Sequence, residues 1–313
     1  MSNRVWRIAK HEGIENLRLT TEDVPKPGPG QVLLRVRAVA LNYRDWAVLN
    51  GFYPRPYAEE GRLIPCSDAA GDIVEIGEEV TKVKKGQRVC SLFFQTWFKG
   101  ELEEEDMLQT LGAPIHGVLA QYVVLNQDGV IQFPDFLSYE EAATLPCAAL
   151  TAWQATYVTT RHVGPHCTTL TQGTGGVSIF ALQFAHLGGN RVIITSSSDE
   201  KLAKAKELGA DDFINYRKTP EWHQEARKIN DGRGIDNVIE IGGPGTINKS
   251  LLAAKKYGDV QAIGFRTEGT DTNVATAMVY NCSQVHGIFV GNKKMFEDMN
   301  RQGNPQAQSE ASD

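Results

Sequence analysis

The sequence predicts an α/β protein in two parts: a mainly β domain over residues 1–137, then a doubly wound parallel-sheet domain over 138–300, followed by a polar tail at 301–313. Three observations predict this. The 313 residues exceed what one core usually organises. The first part consists of short apolar runs separated by Gly and Pro, as strands and turns are. After Ser138, strand-like and helix-like segments alternate with short connections, the pattern of repeated right-handed βα units.

In chain order, strands are read at Val32–Val39, Asp72–Ile76 and Arg88–Leu92, with turns at Lys26–Gly30 and Lys84–Gln87. Asp45–Leu49 is read as a short helix, and the acidic stretch 99–113, which contains Glu101–Asp106, as a long, partly disordered, solvated loop. Ser138 with Glu141 forms a capping box that opens a helix and the second domain. Beyond it, strands are expected at 167–171, 191–195, 212–215, 236–240, 258–263 and 285–289. Helices are expected near 176–187, 199–208, 220–230, 246–255 and 293–300. The tail from Arg301 is polar and aperiodic and reads as disordered.

Composition removes several function classes. No apolar run approaches the roughly 18–20 residues needed to cross a bilayer. The start has no apolar h-region, so no secretory signal is read, and a cytoplasmic protein is expected. Net charge is −6 with Lys and Arg scattered, which argues against a nucleic-acid surface. Five cysteines, odd in number and without a C-x-x-C pair, suggest neither a disulfide framework nor a cysteine zinc site.

The strongest chemistry lies at Gln172–Ser178, where a strand runs through Gly173-Thr-Gly175-Gly176-Val177 into a helix. Gly173 permits the tight turn and Gly175 lets backbone approach a pyrophosphate. The helix start at Gly176 and Val177 supplies free N–H groups and a positive dipole. Ser178 replaces the third glycine of the fingerprint and is small enough for close helix–strand packing. The second strand ends on Ser196-Ser197-Ser198 in place of the acid that binds an unphosphorylated ribose, with Lys201 one turn on. Hydroxyls and a nearby cation suit a 2′-phosphate, favouring NADP(H) over NAD(H). The serines also suit a helix cap, and the two readings are compatible.

These motifs, with Ala40-Leu-Asn42-Tyr43-Arg-Asp45, Pro65-Cys-Ser-Asp68-Ala-Ala-Gly71, Leu145-Pro-Cys147-Ala-Ala-Leu-Thr151 and Leu208-Gly-Ala-Asp-Asp-Phe-Ile-Asn-Tyr216, resemble the zinc-free, quinone oxidoreductase-like branch of the medium-chain dehydrogenase/reductase superfamily. The resemblance runs from about residue 4 to 300. It implies a GroES-like β domain, a Rossmann domain and hydride transfer in the cleft between them, acting on a small carbonyl, alcohol, enone or quinone. It places Lys201 and Tyr216 at the 2′-phosphate, Ile263, Ile288 and Val290 at the carboxamide, and Thr151 near the nicotinamide ring. Gly242 and Gly264 end parallel strands, where such sheets present ligands.

Zinc-dependent relatives hold their catalytic metal with two cysteines and a histidine, and those places fall here on Asn42, Ser67 and Cys147. One ligand of three does not make that site, so no zinc is expected. The four-cysteine lobe expected near 91–117 is also absent, with Phe93, Phe94 and Trp97 in its place. Without a Lewis acid, hydrogen bonds must polarise the substrate. Tyr43 and Asn42 are the candidates, one as donor and one as orienting amide, with Asp68 setting local charge. Packing for Tyr43 and a supporting or capping role for Asp68 stay open.

Two alternatives are carried: a zinc-dependent alcohol dehydrogenase, and a non-catalytic NADP(H)-binding regulatory protein. The second is motivated by the switch to a polar tail where family members continue with strands that return to the first domain. A shortened chain of this kind is expected to expose apolar surface and to be poorly soluble or to form a homodimer.

Overall fold

The computed structural model describes residues 2–53, 61–269 and 274–302. The chain divides into two compact units, Met1–Leu150 with Gly291–Asp313, and Thr151–Val290.

In the first unit, β1 (Ser2–Ile8) pairs antiparallel with β2 (Leu17–Asp23). β3 (Gln31–Ala40) is followed by α1 (Tyr43–Leu49), β4 (Asp68–Ile76), β5 (Arg88–Ser91), α2 (Glu104–Met107), β6 (Tyr122–Asn126) and β7 (Val130–Gln132). The strands form a five-stranded antiparallel sheet in the order β6-β3-β4-β5-β7. Apolar residues on its inner side, including Val32, Leu34, Ile73, Val89 and Leu125, close into one core. Burial of such side chains is the main force holding a unit of this kind together. The two glycine turns read from the sequence are turns, with Gly30 and Gly86 at φ 71° and 86°, a conformation that glycine adopts without strain.

The acidic stretch is more ordered than its charge suggests. Glu104–Met107 form a single helical turn, and Asp106 accepts a hydrogen bond from Thr96 Oγ1 at 2.6 Å. Thr110, Leu111 and Ala113 are buried. The reason is Arg44, whose guanidinium donates to the carbonyls of Leu111 and Ala113 at 2.6 and 2.9 Å. Phe93, Phe94 and Trp97 pack as an edge-to-face series with centroids 5.1 and 5.2 Å apart, a buried aromatic core for this region.

Ser138 caps α3 (Tyr139–Ala143), with Ser138 N donating to Glu141 Oε2 at 2.8 Å and Glu141 N to Ser138 Oγ at 3.2 Å. The cap marks a helix start and not a unit boundary, because α3 packs on β3 and β4 of the first unit. The expected boundary at 137/138 is therefore corrected to Leu150. There α4 (Leu150–Trp153) lies between two π-helical turns, Leu145–Ala149 and Gln154–Val158.

The second unit runs β8 (Thr168–Gln172), α5 (Gly176–Leu187), β9 (Arg191–Ser196), α6 (Asp199–Glu207), β10 (Asp212–Asn215), α7 (Trp222–Ile229), β11 (Ile235–Glu240), α8 (Ile247–Ala253), β12 (Ala254–Ala262), α9 (Val274–Asn281) and β13 (Gln284–Gly287). All six strands are parallel, in the order β10-β9-β8-β11-β12-β13. This is the doubly wound order in which the winding reverses between the first and fourth strands, here β8 and β11. Each strand read from the sequence is present within a few residues of its expected ends. Helix α9 was not expected.

The chain then returns to the first unit in α10 (Lys293–Gln302), where the sequence reading kept residues 291–300 in the second domain. Lys293 N and Lys294 N donate to the carbonyls of Trp97 and Phe98 at 3.2 and 3.0 Å, and Phe296 and Met299 are buried. The helix includes Arg301 and Gln302, so the expected tail cannot begin at 301; its remainder lies outside the described residues. Among the described residues no helix is long and apolar enough to cross a membrane.

Candidate active site

The carboxyl ends of β8 and β11 border a cavity of about 470 Å³ within the second unit. Gln172, Gly173, Thr195, Tyr216, Gly242 and Arg266 are among its walls. This is the switch point of the sheet, where open α/β sheets leave a crevice for ligands. Gly173 sits at φ 71° and its amide faces Thr195 Oγ1 at 3.4 Å; Gly175 is the N-cap of α5. A Cβ on Gly173 would meet nothing closer than Ile241 Cδ1 at 3.7 Å, and one on Gly175 nothing closer than Arg266 Nη1 at 3.9 Å. The glycines thus leave open space that no protein atom fills, as a backbone cradle for a pyrophosphate does. Gly176 and Val177 open α5, whose free N–H groups head this cradle. Ser178 is fully buried and donates to the carbonyl of Gln172 at 2.6 Å, so the serine ties helix to strand where the fingerprint has glycine.

Behind the cradle lies a network the sequence reading did not single out. Glu240 ends β11 with no exposed surface. Its Oε1 accepts from Gly242 N at 2.7 Å, Gly243 N at 2.9 Å and Thr246 Oγ1 at 2.6 Å. Its Oε2 accepts from Gln172 Nε2 at 2.7 Å and from Ser250 Oγ. Gln172 Oε1 in turn accepts from Ile241 N and Gly242 N at 3.2 and 3.3 Å. A buried carboxylate is tolerated because its lone pairs are occupied, and here they hold the two turns that wall the cavity. An acid at a strand end directly before Gly-Gly was the available signal.

Other expected cofactor residues are placed as follows. Tyr216 lines the cavity, whereas Ser196 is buried and its hydroxyl accepts from Ser198 N at 3.3 Å. Thr195, one residue earlier, faces the cavity instead. Lys201 is exposed on α6 and is not among the cavity walls. Ser198 caps that helix, as the compatible reading had it. The nearest acid, Asp199, is occupied by Asn215 Nδ2 at 2.6 Å and Lys218 Nζ at 2.5 Å. Val177, Ile263 and Ile288 meet in one apolar cluster that includes Ala152, the neighbour of the buried Thr151. Gly264 approaches Ile241 so closely that a Cβ would stand 2.1 Å from its carbonyl oxygen. Val290 is buried at φ 59°, a strained conformation for a β-branched residue of the sort found at functional positions.

The first unit gathers Asn42, Ser67, Asp68 and Cys147. Asp68 is fully buried, with Oδ1 accepting from Ser67 Oγ at 2.6 Å and Oδ2 from Cys147 N at 3.0 Å. Burial pushes its carboxyl up to about 7, while Ser67, the nearby Asn42 amide and Cys147 N pull the other way and Asp45 adds repulsion. The Asn42 Nδ2 lies near enough for that influence without completing a hydrogen bond of good geometry. Burial and the Asp68 charge hold the Cys147 thiol well above its ordinary value. Asn42 is the N-cap of α1, its backbone N donating to Asp45 Oδ2 at 2.8 Å, and the helix begins two residues before its expected start. Tyr43 is 41% exposed with its ring 5.4 Å from that of Trp46. An amide, a hydroxyl and a single cysteine thiol are not the nitrogen and sulfur donor set that a catalytic zinc takes.

Residues 28–135 match the alcohol dehydrogenase GroES-like domain family, and residues 176–302 the zinc-binding dehydrogenase family. A zinc-type alcohol dehydrogenase-like protein of Schizosaccharomyces pombe is 42% identical over 92% of this chain and 84% of its own length. A chloroplastic quinone oxidoreductase of Triphysaria versicolor is 33% identical over 78% of this chain and 70% of its own length. The crystal structure of an NAD-dependent alcohol dehydrogenase superposes with a TM-score of 0.86 at 30% identity, covering 97% of this chain and 90% of that one. Two domain matches in order, a parallel sheet of the doubly wound order and relatives aligned over most of their length agree: the chain is an oxidoreductase of the medium-chain dehydrogenase/reductase superfamily.

Proposed function

We propose that this protein transfers hydride between NADP(H) and a small carbonyl, alcohol, enone or quinone, without zinc at its catalytic centre. The observation that carries the cofactor reading is the glycine-walled cavity at the switch point, where β9 ends on Ser196 and the nearest acid is already paired. A free carboxylate there would grip an unphosphorylated ribose and repel a 2′-phosphate. Tyr216 on the cavity wall and Lys201 on α6 are the proposed 2′-phosphate partners. A similar structure named for NAD is the reason to test this directly.

When bound, the nicotinamide supplies the hydride; the chain's residues do the rest. The α5 N-terminus and Arg266 oppose the negative charge of the pyrophosphate. Thr151, Ile263, Ile288 and Val290 form the proposed nicotinamide end, and Gly242 and Gly264 keep the strand ends close to the ligand. On the first unit, Tyr43 is the proposed donor to the substrate oxygen and Asn42 the orienting amide. Asp68, with a carboxyl near neutrality, holds the local proton balance at Oδ1 and Oδ2. A reducing, cytosolic setting belongs to the same reading and is supported by five cysteines that form no disulfide with one another. So does a homodimer, supported by β13 at the end of the sheet and by Val279 and Tyr280 exposed on the adjacent α9.

Fluorescence titration with both nucleotides tests the cofactor. NADPH is expected to bind at least about tenfold tighter than NADH, ~1.4 kcal/mol, with Lys201→Ala removing most of the difference and leaving NADH binding unchanged. Equal affinities would overturn the preference, and binding of neither nucleotide would overturn the reading itself. NADPH oxidation over quinones, enones and aldehydes then separates an enzyme from a binding protein.

A further inference from the structure

At the amino-terminal ends of the same parallel strands, away from the glycine turns, the second unit gathers a different set of side chains. His162, Cys167 and Asp236 present ligand atoms that all lie within 4.8 Å of one another. His162 Nδ1 faces Asp236 Oδ1 at 3.9 Å, and its Nε2 faces Asp259 Oδ2 at 3.7 Å and the Tyr257 carbonyl at 3.3 Å. Asp259 is buried and fixed from two sides, accepting from Thr160 Oγ1 at 2.6 Å and lying 3.1 Å from His286 Nε2. Asp236 Oδ2 accepts from Thr168 N at 2.8 Å, while its Oδ1 is paired with Lys255 Nζ. The lysine on Asp236 has a side chain that is 31% exposed and has water to swing into, whereas Asp259 is held by Thr160 and the two histidines.

We propose that His162, Cys167 and Asp236 form a binding site for a zinc-type divalent transition metal, separate from the catalytic centre. A nitrogen, a thiolate and one carboxylate oxygen are the donors that zinc and cobalt take in tetrahedral sites, with water as a fourth ligand; calcium and magnesium prefer all-oxygen shells. His162 would bind through Nδ1. The Nε2–H then donates to the Tyr257 carbonyl at 3.3 Å, with the Asp259 carboxylate 3.7 Å away, an outer-shell contact of the kind that orients and strengthens such ligands. Binding releases the Cys167 thiol proton to solvent and displaces the Lys255 ammonium from Asp236 Oδ1, so that charge is exchanged at one oxygen. The ion would clip the segment ahead of β8 to the foot of β11.

The test is titration of the metal-free, reduced full chain with Co²⁺, read by absorption. Tetrahedral ligand-field bands and a thiolate-to-cobalt charge-transfer band are expected at one equivalent. Cys167→Ser should lose the charge-transfer band, Cys147→Ser should keep it, and Lys255→Met should bind tenfold or more tightly by removing the competitor. Absence of the band, or its loss in Cys147→Ser with retention in Cys167→Ser, overturns the site, and unchanged affinity in Lys255→Met overturns Asp236 as a ligand. Because a variant can fail to fold, Zn²⁺ protection of Cys167 from alkylation is also measured by mass spectrometry in the unsubstituted chain; no protection overturns the proposal.

Discussion

Asp68 has no exposed surface, and burial keeps its carboxyl near 7 where an unfolded aspartate has 3.8. Between those values the folded chain holds a proton that the unfolded chain has released, so folding is favoured by acid in this window. The stabilisation from protonated Asp68 is complete below about pH 4 and lost as pH rises through 7, a change on the order of 4 kcal/mol at most. Asp68→Asn is expected to flatten that part of the profile. Urea midpoints of both proteins from pH 5 to 8 check it, and parallel curves would sink the assignment. The residue was visible as a candidate in Ser67-Asp68, but its partner Cys147 N is 79 positions away and no local pattern announces it. Cys147 contributes its backbone N–H to this contact.

Among the elements, the turns after β8 and β11 decide what the second unit can hold. Gly173 and Gly175 were legible because their glycine turn lies between a strand and a helix inside a full βαβ unit. The support beneath them was not, since Glu240, Gln172, Thr246 and Ser250 come together only when β8, β11 and α8 pack. Glu240→Gln keeps the shape but sets an amide N–H₂ against Gln172 Nε2 or against the Gly242 and Gly243 amides, leaving donors facing donors. We expect a loss of about 1–3 kcal/mol in stability and roughly tenfold weaker NADPH binding. Chemical denaturation and nucleotide titration read the two effects, and unchanged affinity would show that the turns hold without the carboxylate. The acidic stretch teaches the converse lesson. Its charge suggested a loop, but Arg44, inside α1, ties Leu111 and Ala113 down.

At the level of the whole chain, two units with their own cores carry the protein, and the second ends its sheet on β13 beside a helix that exposes Val279 and Tyr280, each about three-quarters accessible. A homodimer through this edge is expected, with Tyr280→Lys shifting the mass measured by light scattering towards the monomer; a monomer before substitution would refute it. What neighbouring residues alone established is the α/β class, the alternation of strands and helices in the second unit apart from α9, and the glycine turn after β8. These depend on periodicity, caps and turn chemistry, which act over a few residues. The position of the unit boundary, the return of α10 to the first unit, the elevated acid at Asp68, the Glu240 network and the His162–Cys167–Asp236 cluster came only with the fold. Each joins groups distant in sequence, and burial and electrostatics depend on distance in space.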